Sequence, residues 1–516
     1  MKNKLQVLCT FLFLSTTVLF AQQQNEVVDN IIKEASENSQ LEHLGHELLD
    51  LIGPRLVGTP EMKNAHDWAV NTYKEWGIEA ENEQWGEWRG WQRGITHIDM
   101  IEPRVRSLSG MQLAWSPSTG RKPVEAEVIV LPQAADSAAF QRMLPQVKGK
   151  LVMISMPQPT GRPDYNWEEW AKEESFEKMK EEREEQMKAW RERLGNTGFG
   201  RDLPQALERA GAVGIITLNW SRGFGANKIF SASTKKIPTV DLSLEDYGMV
   251  YRLAESGKKP KLRITAESKE LGAVPAFNTI ATIPGSELPN EYIILSAHFD
   301  SWDGATGATD NGTGTLVMME AMRILKKLYP NPKRTIIAGH WGSEEQGLNG
   351  SRAYVKDNPE VVDNLQALFN QDNGTGRVVN LSGGGFLHAY DYLTRWLEPV
   401  PNDIKGEIET NFPGSPGRGG SDYASFVAAG APAFSLSSLS WDYWNYTWHT
   451  NLDTYDKIVW DDVRDNVILT AILTYMASED PERSSRERIN LPNNPRTGEQ
   501  MTWPEPRDAT RRGGLD

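Results

Sequence analysis

Between residue 273 and about residue 480 the chain alternates short apolar runs with helix-like stretches, and this alternation restricts the fold more than any other feature. "EYIIL" is followed by "TGTLVMMEAMRILKKL", then by "RTIIAGHW", "GLNGSRAYVKD" and "LQALFNQD". Short β-rich runs separated by amphipathic segments build crossovers between parallel strands. The predicted fold class is therefore α/β, with a mixed, mainly parallel central sheet flanked by helices.

In open sheets of this class, ligands gather beyond the carboxyl ends of the strands. Here those ends carry acids and histidines. The run "EYIILSAHFDSWDGATGATDNGTGT" leads from a strand into a Gly/Thr-rich loop holding His298, Asp300, Asp303 and Asp310. Glu344 and Glu345 follow "RTIIAGHWGS", Asp372 follows "LQALFNQ", and His449 lies in "DYWNYTWHTNLDTYDKI". Singly these are ordinary: an acidic pair suits a helix start, and "DNG" at 310–312 makes a turn. Together, two histidines and three or four carboxylates form a nitrogen and oxygen donor set suited to zinc, with cobalt or manganese as substitutes. Magnesium or calcium would not need the histidines.

The rest of the chain reads differently. Leu44, Leu48, Leu49 and Ile52 space a helix that stops at Gly53-Pro54, and a second helix runs from Pro60 to Trp76 and stops at Gly77. Residues 78–125 hold short strand-like runs rich in Trp. From 124 to 270, "AEVIVL", "GKLVMIS", "AVGIITL", "IPTVDLS" and "PKLRITAE" are β-rich runs separated by turns. Inside them, residues 167–195 are dense in Glu, Lys and Arg at three- and four-residue spacings, the pattern of an exposed helix. The tail, 481–516, is rich in Arg, Pro and Asn, and either wraps the surface or stays partly disordered.

Residues 1–21 carry Lys2 and Lys4, then an apolar run from Leu5 to Phe20 ending at Ala21. This is the layout of a signal peptide, too short for a membrane span. Its removal takes away Cys9, the only cysteine, and makes the formal charge of −15 more negative by two. Disulfides, thiolate ligands and a cysteine nucleophile are thereby excluded. An acidic surface argues against nucleic acid or anionic membranes as partners. The reading is an exported protein, periplasmic or secreted, with no membrane span.

The motifs "HFDSWDGATGATDNGTG" and "SEEQGLNGSRAY", with "LIGPRLVGT" and "WRGWQRG…IEPR" upstream, resemble the M28 family of co-catalytic zinc exopeptidases. The resemblance covers roughly residues 45–480. It implies two zinc ions per chain, bridged by Asp310, with His298 and Asp372 completing one site and Glu345 and His449 the other. It makes Glu344 the general base for a water shared by the metals. Asp300 would hold His298 in its ligating tautomer, and the Asp310–Asn311 peptide would be cis. Residues 22–123 become the helical start of the catalytic domain and 271–480 its main body. Residues 124–270 resemble an inserted protease-associated domain, with 167–195 as a charged helical insertion. The substrate it implies is a short peptide or dipeptide cut at one end, and the resemblance favours a homodimer.

"PGRGGSDYASF" resembles the family's substrate-side segment, with Tyr423 where aminopeptidase members often have His. Arg418 is the candidate for gripping a substrate carboxylate. The "WDYWNYTWHT" aromatics anchor the His449 loop, wall a pocket or make a dimer contact. Aminopeptidase against carboxypeptidase or dipeptidase specificity stays open. A single-zinc glutaminyl-cyclase-like acyltransferase and a metal-free binding protein are the further alternatives. His43, His46, His66, His97, His340 and His388 match no ligand position and are read as structural, His340 lying near the site.

Overall fold

The computed structural model describes residues 25–372 and 375–515, so the leader reading for 1–21 lies outside the described residues. Four parallel strands form the middle of the main sheet, in the order Arg334–Trp341, Leu288–His298, Leu365–Asn370 and Ala433–Ser438. Antiparallel strands flank them, Lys261–Ile283 on one side and Val378–Ser382 on the other. The central strands carry consecutive apolar residues, as in 293–295 and 336–338, because both faces are covered. Every residue of Arg334–Trp341 and of Leu365–Asn370 is buried.

Helices Thr313–Leu328 and Trp460–Glu479 lie side by side against this sheet. Thr313–Leu328 is buried along almost its whole length, and its two interior charges are matched rather than solvated. Arg323 binds Glu320 at 2.8 Å and Glu34 of the 25–37 helix at 2.8 Å. Asn349–Asp357 and Tyr423–Ala428 pack against each other and against the sheet. The helices near the start end close to the expected places, Leu41–Gly45 running on as a wider turn over His46–Ile52, and Pro60–Glu75 stopping before Gly77.

The expected short runs over 78–125 prove to be mostly one strand, Glu79–Glu102, paired antiparallel with Lys261–Ile283 along nearly its whole length. Register shifts at Gln84/Gly86, Gly90/Trp91, Arg93/Thr96 and Met100/Glu102 break this ribbon into segments. Each bulge interrupts the alternation of side chains, which is why the sequence reads as separate pieces. The outer end of Lys261–Ile283, residues 261–264, pairs antiparallel with strand Val124–Val130. From there a second sheet continues in parallel through Leu151–Met153, Gly214–Thr217 and Thr239–Leu242. It has apolar packing of its own, with Val128, Met153, Ile216 and Val240 in one cluster and Phe140, Val152, Leu207 and Ile215 in another.

The charged stretch forms two helices, Asp164–Trp170 and Glu173–Gly195, the second burying only Met179, Arg183 and Trp190. The tail is wrapped over the surface. Trp503 Nε1 donates to Val427 O at 2.8 Å, and Arg512–Gly513 pairs in parallel with Glu87–Trp88. Among the described residues no helix is long and apolar enough to cross a membrane.

Candidate metal centre

Four chain segments meet beyond the carboxyl ends of the parallel strands. Leu288–His298 ends on His298, which is buried. The following loop leads to Asp310, in the turn Ala308–Gly312 ahead of helix Thr313–Leu328, and the Asp310–Asn311 peptide is cis. Glu344 and Glu345 follow Arg334–Trp341, Asp372 follows Leu365–Asn370, and His449 comes from the loop before Trp460–Glu479.

These side chains form two groups that share Asp310. His298, Asp310 and Asp372 make one; Asp310, Glu345 and His449 make the other, and in each the donor atoms lie within 4.8 Å of one another. His298 Nε2 is 3.3 Å from Asp310 Oδ1 and 3.2 Å from Asp372 Oδ1. His449 Nε2 is 3.4 Å from Asp310 Oδ2 and 2.8 Å from Glu345 Oε2. Among the described residues Asp310 Oδ2 and Glu345 Oε1 are buried without a hydrogen-bond partner. Burying carboxylate oxygens without donors is costly unless a cation takes them. Imidazole with carboxylate is the donor chemistry of zinc, and the residues fit such an ion in both groups. Glu344 belongs to neither group.

The electrostatics follow from crowding acids in a dry place. Burial, then the Asp310 charge, pushes Glu345 well above the usual carboxylate range. Burial, Asp372 and Asp422 do the same to Glu344, against the opposing pull of His298. Asp310 goes down despite its burial, because His298, His449 and Tyr443 stabilise its charge. Burial holds His449 down to about 4.

Neighbours fix these groups in place. His298 Nδ1 is 3.0 Å from the main-chain carbonyl of Asp300, while the Asp300 carboxylate stands 3.7 Å away. The carboxylate instead accepts the backbone amides of Glu344 and Glu345. Orientation of His298 was expected from that carboxylate; the nearer contact is the carbonyl, and the acid orders the Glu344-Glu345 turn. Asp453 accepts the amides of Thr309 and Asp310 at 2.8 and 3.0 Å. Arg55, fully buried, donates to the carbonyls of Gly53, Phe299, Thr306 and Gly307. Gly307 has φ +62, and a Cβ there would collide with Ser301. Asp303 pairs with Arg93 at 2.7 Å, tying the ribbon to the same loop.

Asp453, Arg55 and Tyr443 did not stand out in the sequence. Asp453 lies four residues after His449, and an acid in a ligand's own loop was the available signal. Of the loop aromatics, Tyr443 is buried, Trp441 and Trp444 are exposed, and Trp448 stacks on His449 with ring centres 3.9 Å apart. Tyr423 begins helix Tyr423–Ala428, half-buried, and feels the Asp372 charge. Arg418 is exposed and donates to Thr502 O at 2.5 Å. It lines a cleft of about 680 Å³ between Arg352, Ala424 and the tail, and no member of the two donor groups lines that cleft. His66 and His340 are buried elsewhere, bonded to Thr279 and Tyr73.

Residues 278–473 match the profile of Peptidase family M28. The chain is similar to carboxypeptidase Q of Rattus norvegicus, at 26% identity over 87% of this chain and 87% of that protein. A Peptidase M28 precursor from Shewanella amazonensis has the same fold, with a TM-score of 0.65, 22% identity, and coverage of 92% of this chain and 100% of that one. A zinc aminopeptidase from Bacillus subtilis aligns with a TM-score of 0.53 at 18% identity, over 87% of this chain and 97% of that one.

Proposed function

The chain carries a peptidase family M28 domain over residues 278–473, and from that premise we propose that it is an exported di-zinc exopeptidase acting on short peptides or dipeptides. The observation that carries the reading is the pair of three-residue donor groups joined through Asp310. His298, Asp310 and Asp372 would hold one ion, and Asp310, Glu345 and His449 the other. Bound zinc supplies Lewis acidity toward the scissile carbonyl and lowers the pKa of water. Glu344 takes the proton of the attacking water and hands it to the leaving amine, a role open to it because it is not used as a ligand. Asp300 and Asp453 set the backbones that carry Glu344, Glu345 and Asp310. Tyr423, beside Asp372, lines the substrate's approach.

Similarity to both a carboxypeptidase and an aminopeptidase supports peptide-end hydrolysis without choosing the end. The unit carried by the ribbon is read as a protease-associated domain over 124–270, on its "VKGKLVMIS" and "IPTVDLS" runs. The pattern of residues 1–21 supports export. A homodimer belongs to the same reading, and light scattering tests it.

The central test is metal content per chain by mass spectrometry, before and after chelation, with dipeptide hydrolysis followed in parallel. Two zinc per chain, with activity lost on chelation and restored by zinc, is expected. One zinc without hydrolysis would favour the cyclase-like alternative, and no metal after zinc is offered would overturn the reading.

A further inference from the structure

The unit between the two ends of the ribbon touches the loop that carries His449. Lys228 forms an antiparallel bridge with Thr450, and Ile229 N donates to His449 O at 2.9 Å. Asn451 N donates to Asn227 O at 3.0 Å, and Asn227 N to Asn451 Oδ1 at 2.8 Å. Phe230 meets the His449 ring edge-on at 5.5 Å. A strand-like segment of the second unit is thereby locked to a donor residue of the first.

This locking places Lys228 at the metal centre. Its Nζ stands 3.7 Å from the centre of the Trp448 ring, which in turn stacks on His449. Burial lowers its pKa to about 8, with the Asp310 charge working the other way. Among the described residues the ammonium makes no ion pair and donates no hydrogen bond, although it is half-buried. An unmet, partly desolvated ammonium is costly. The ring face offers partial compensation and no acceptor. The acid whose charge reaches it is Asp310, and on the reading above that carboxylate is taken up by cations.

A peptide brings charge only at its ends and on its ionisable side chains. An ammonium at the rim of the centre repels a substrate's free amine and attracts its free carboxylate. We infer that Lys228 receives the α-carboxylate of the substrate, so that the bond nearest the carboxyl end is the one laid across the donor groups. The inference rests on the peptidase reading, and it makes the second unit a wall of the substrate site. Arg418, bonded to the tail in a separate cleft, is not needed for this grip.

The test uses the zinc-loaded full chain with Leu-Leu and its C-terminal amide. Wild-type enzyme is expected to prefer the free carboxylate. Lys228→Met should raise KM for Leu-Leu roughly ten- to hundred-fold, the size of a charge-assisted hydrogen bond, and leave KM for the amide unchanged. Lys228→Arg should keep the preference, and Arg418→Ala should not alter it. Equal loss on both substrates in Lys228→Met, or an amide cleaved as well as the acid by wild type, would overturn the inference. Metal content of each variant is measured alongside, so that a misfolded or metal-poor protein is recognised. If zinc-loaded wild type cleaves neither substrate, the peptidase reading fails. Calorimetric binding of Leu-Leu against its amide then still decides for or against Lys228.

Discussion

The carboxylate of Asp300 accepts the backbone amides of Glu344, at 2.9 Å, and Glu345, at 3.2 Å. One side chain thus sets the position of a metal-group member and of the proposed base together, while its own carbonyl faces His298. Asn at 300 has one oxygen for two amides and turns a donor toward the other. Asp300→Asn is expected to lower zinc affinity about 10- to 100-fold with the circular dichroism spectrum unchanged. Competition against a chelator measures it, and an unaltered affinity would refute the role.

Glu344 stands beside both donor groups and belongs to neither. Glu344→Gln should therefore keep its full metal content while kcat falls about a hundred- to ten-thousand-fold, the usual worth of a general base. Mass spectrometry and steady-state kinetics on the same preparation check both halves. Loss of metal in that variant would make Glu344 a ligand instead.

Arg55 is fully buried and spends its guanidinium on four main-chain carbonyls around the loop that leads to Asp310. Arg55→Met removes the guanidinium donor from all four acceptors, of which Gly307 O keeps the Gly312 amide. A loss of about 3–5 kcal/mol is expected, read from the urea midpoint of metal-free protein.

His66 and His340 are buried, and burial lowers both to about 3, against an ordinary 6.5. Below pH 6.5 the unfolded chain takes up their protons and the folded chain does not. Stability from these groups is therefore level above pH 6.5 and falls as the pH drops toward 3. Between pH 6.5 and 5 each contributes a loss of about 2 kcal/mol. His340→Gln, which can still meet the Tyr73 hydroxyl, should flatten the fall in the urea midpoint.

His298, Glu344, Glu345 and Asp372 were legible because they close or follow apolar runs that read as buried strands, whereas Asp310 and His449 sit in loops and were picked out by the family resemblance. The central sheet was legible for the same reason. What the sequence concealed depends on meetings across long stretches of chain. Arg55 finds Thr306 and Gly307, and Lys228 finds Trp448, with no local spacing to announce either. The division of labour in Asp300 was hidden because main-chain and side-chain oxygens of one residue are the same letter. The ribbon looked fragmentary because its bulges reset the alternation that marks a strand.

At the outer end of the ribbon, Glu102 lies opposite Lys261, joined by a 2.8 Å ion pair. Topologically, everything from 103 to 260 is thus the loop of one long hairpin. Its two attachment points are neighbours, so the hairpin carries this unit without rerouting a single strand of the central sheet. A hairpin of this kind adds a surface beside the donor groups while leaving the connections of the parallel strands unchanged.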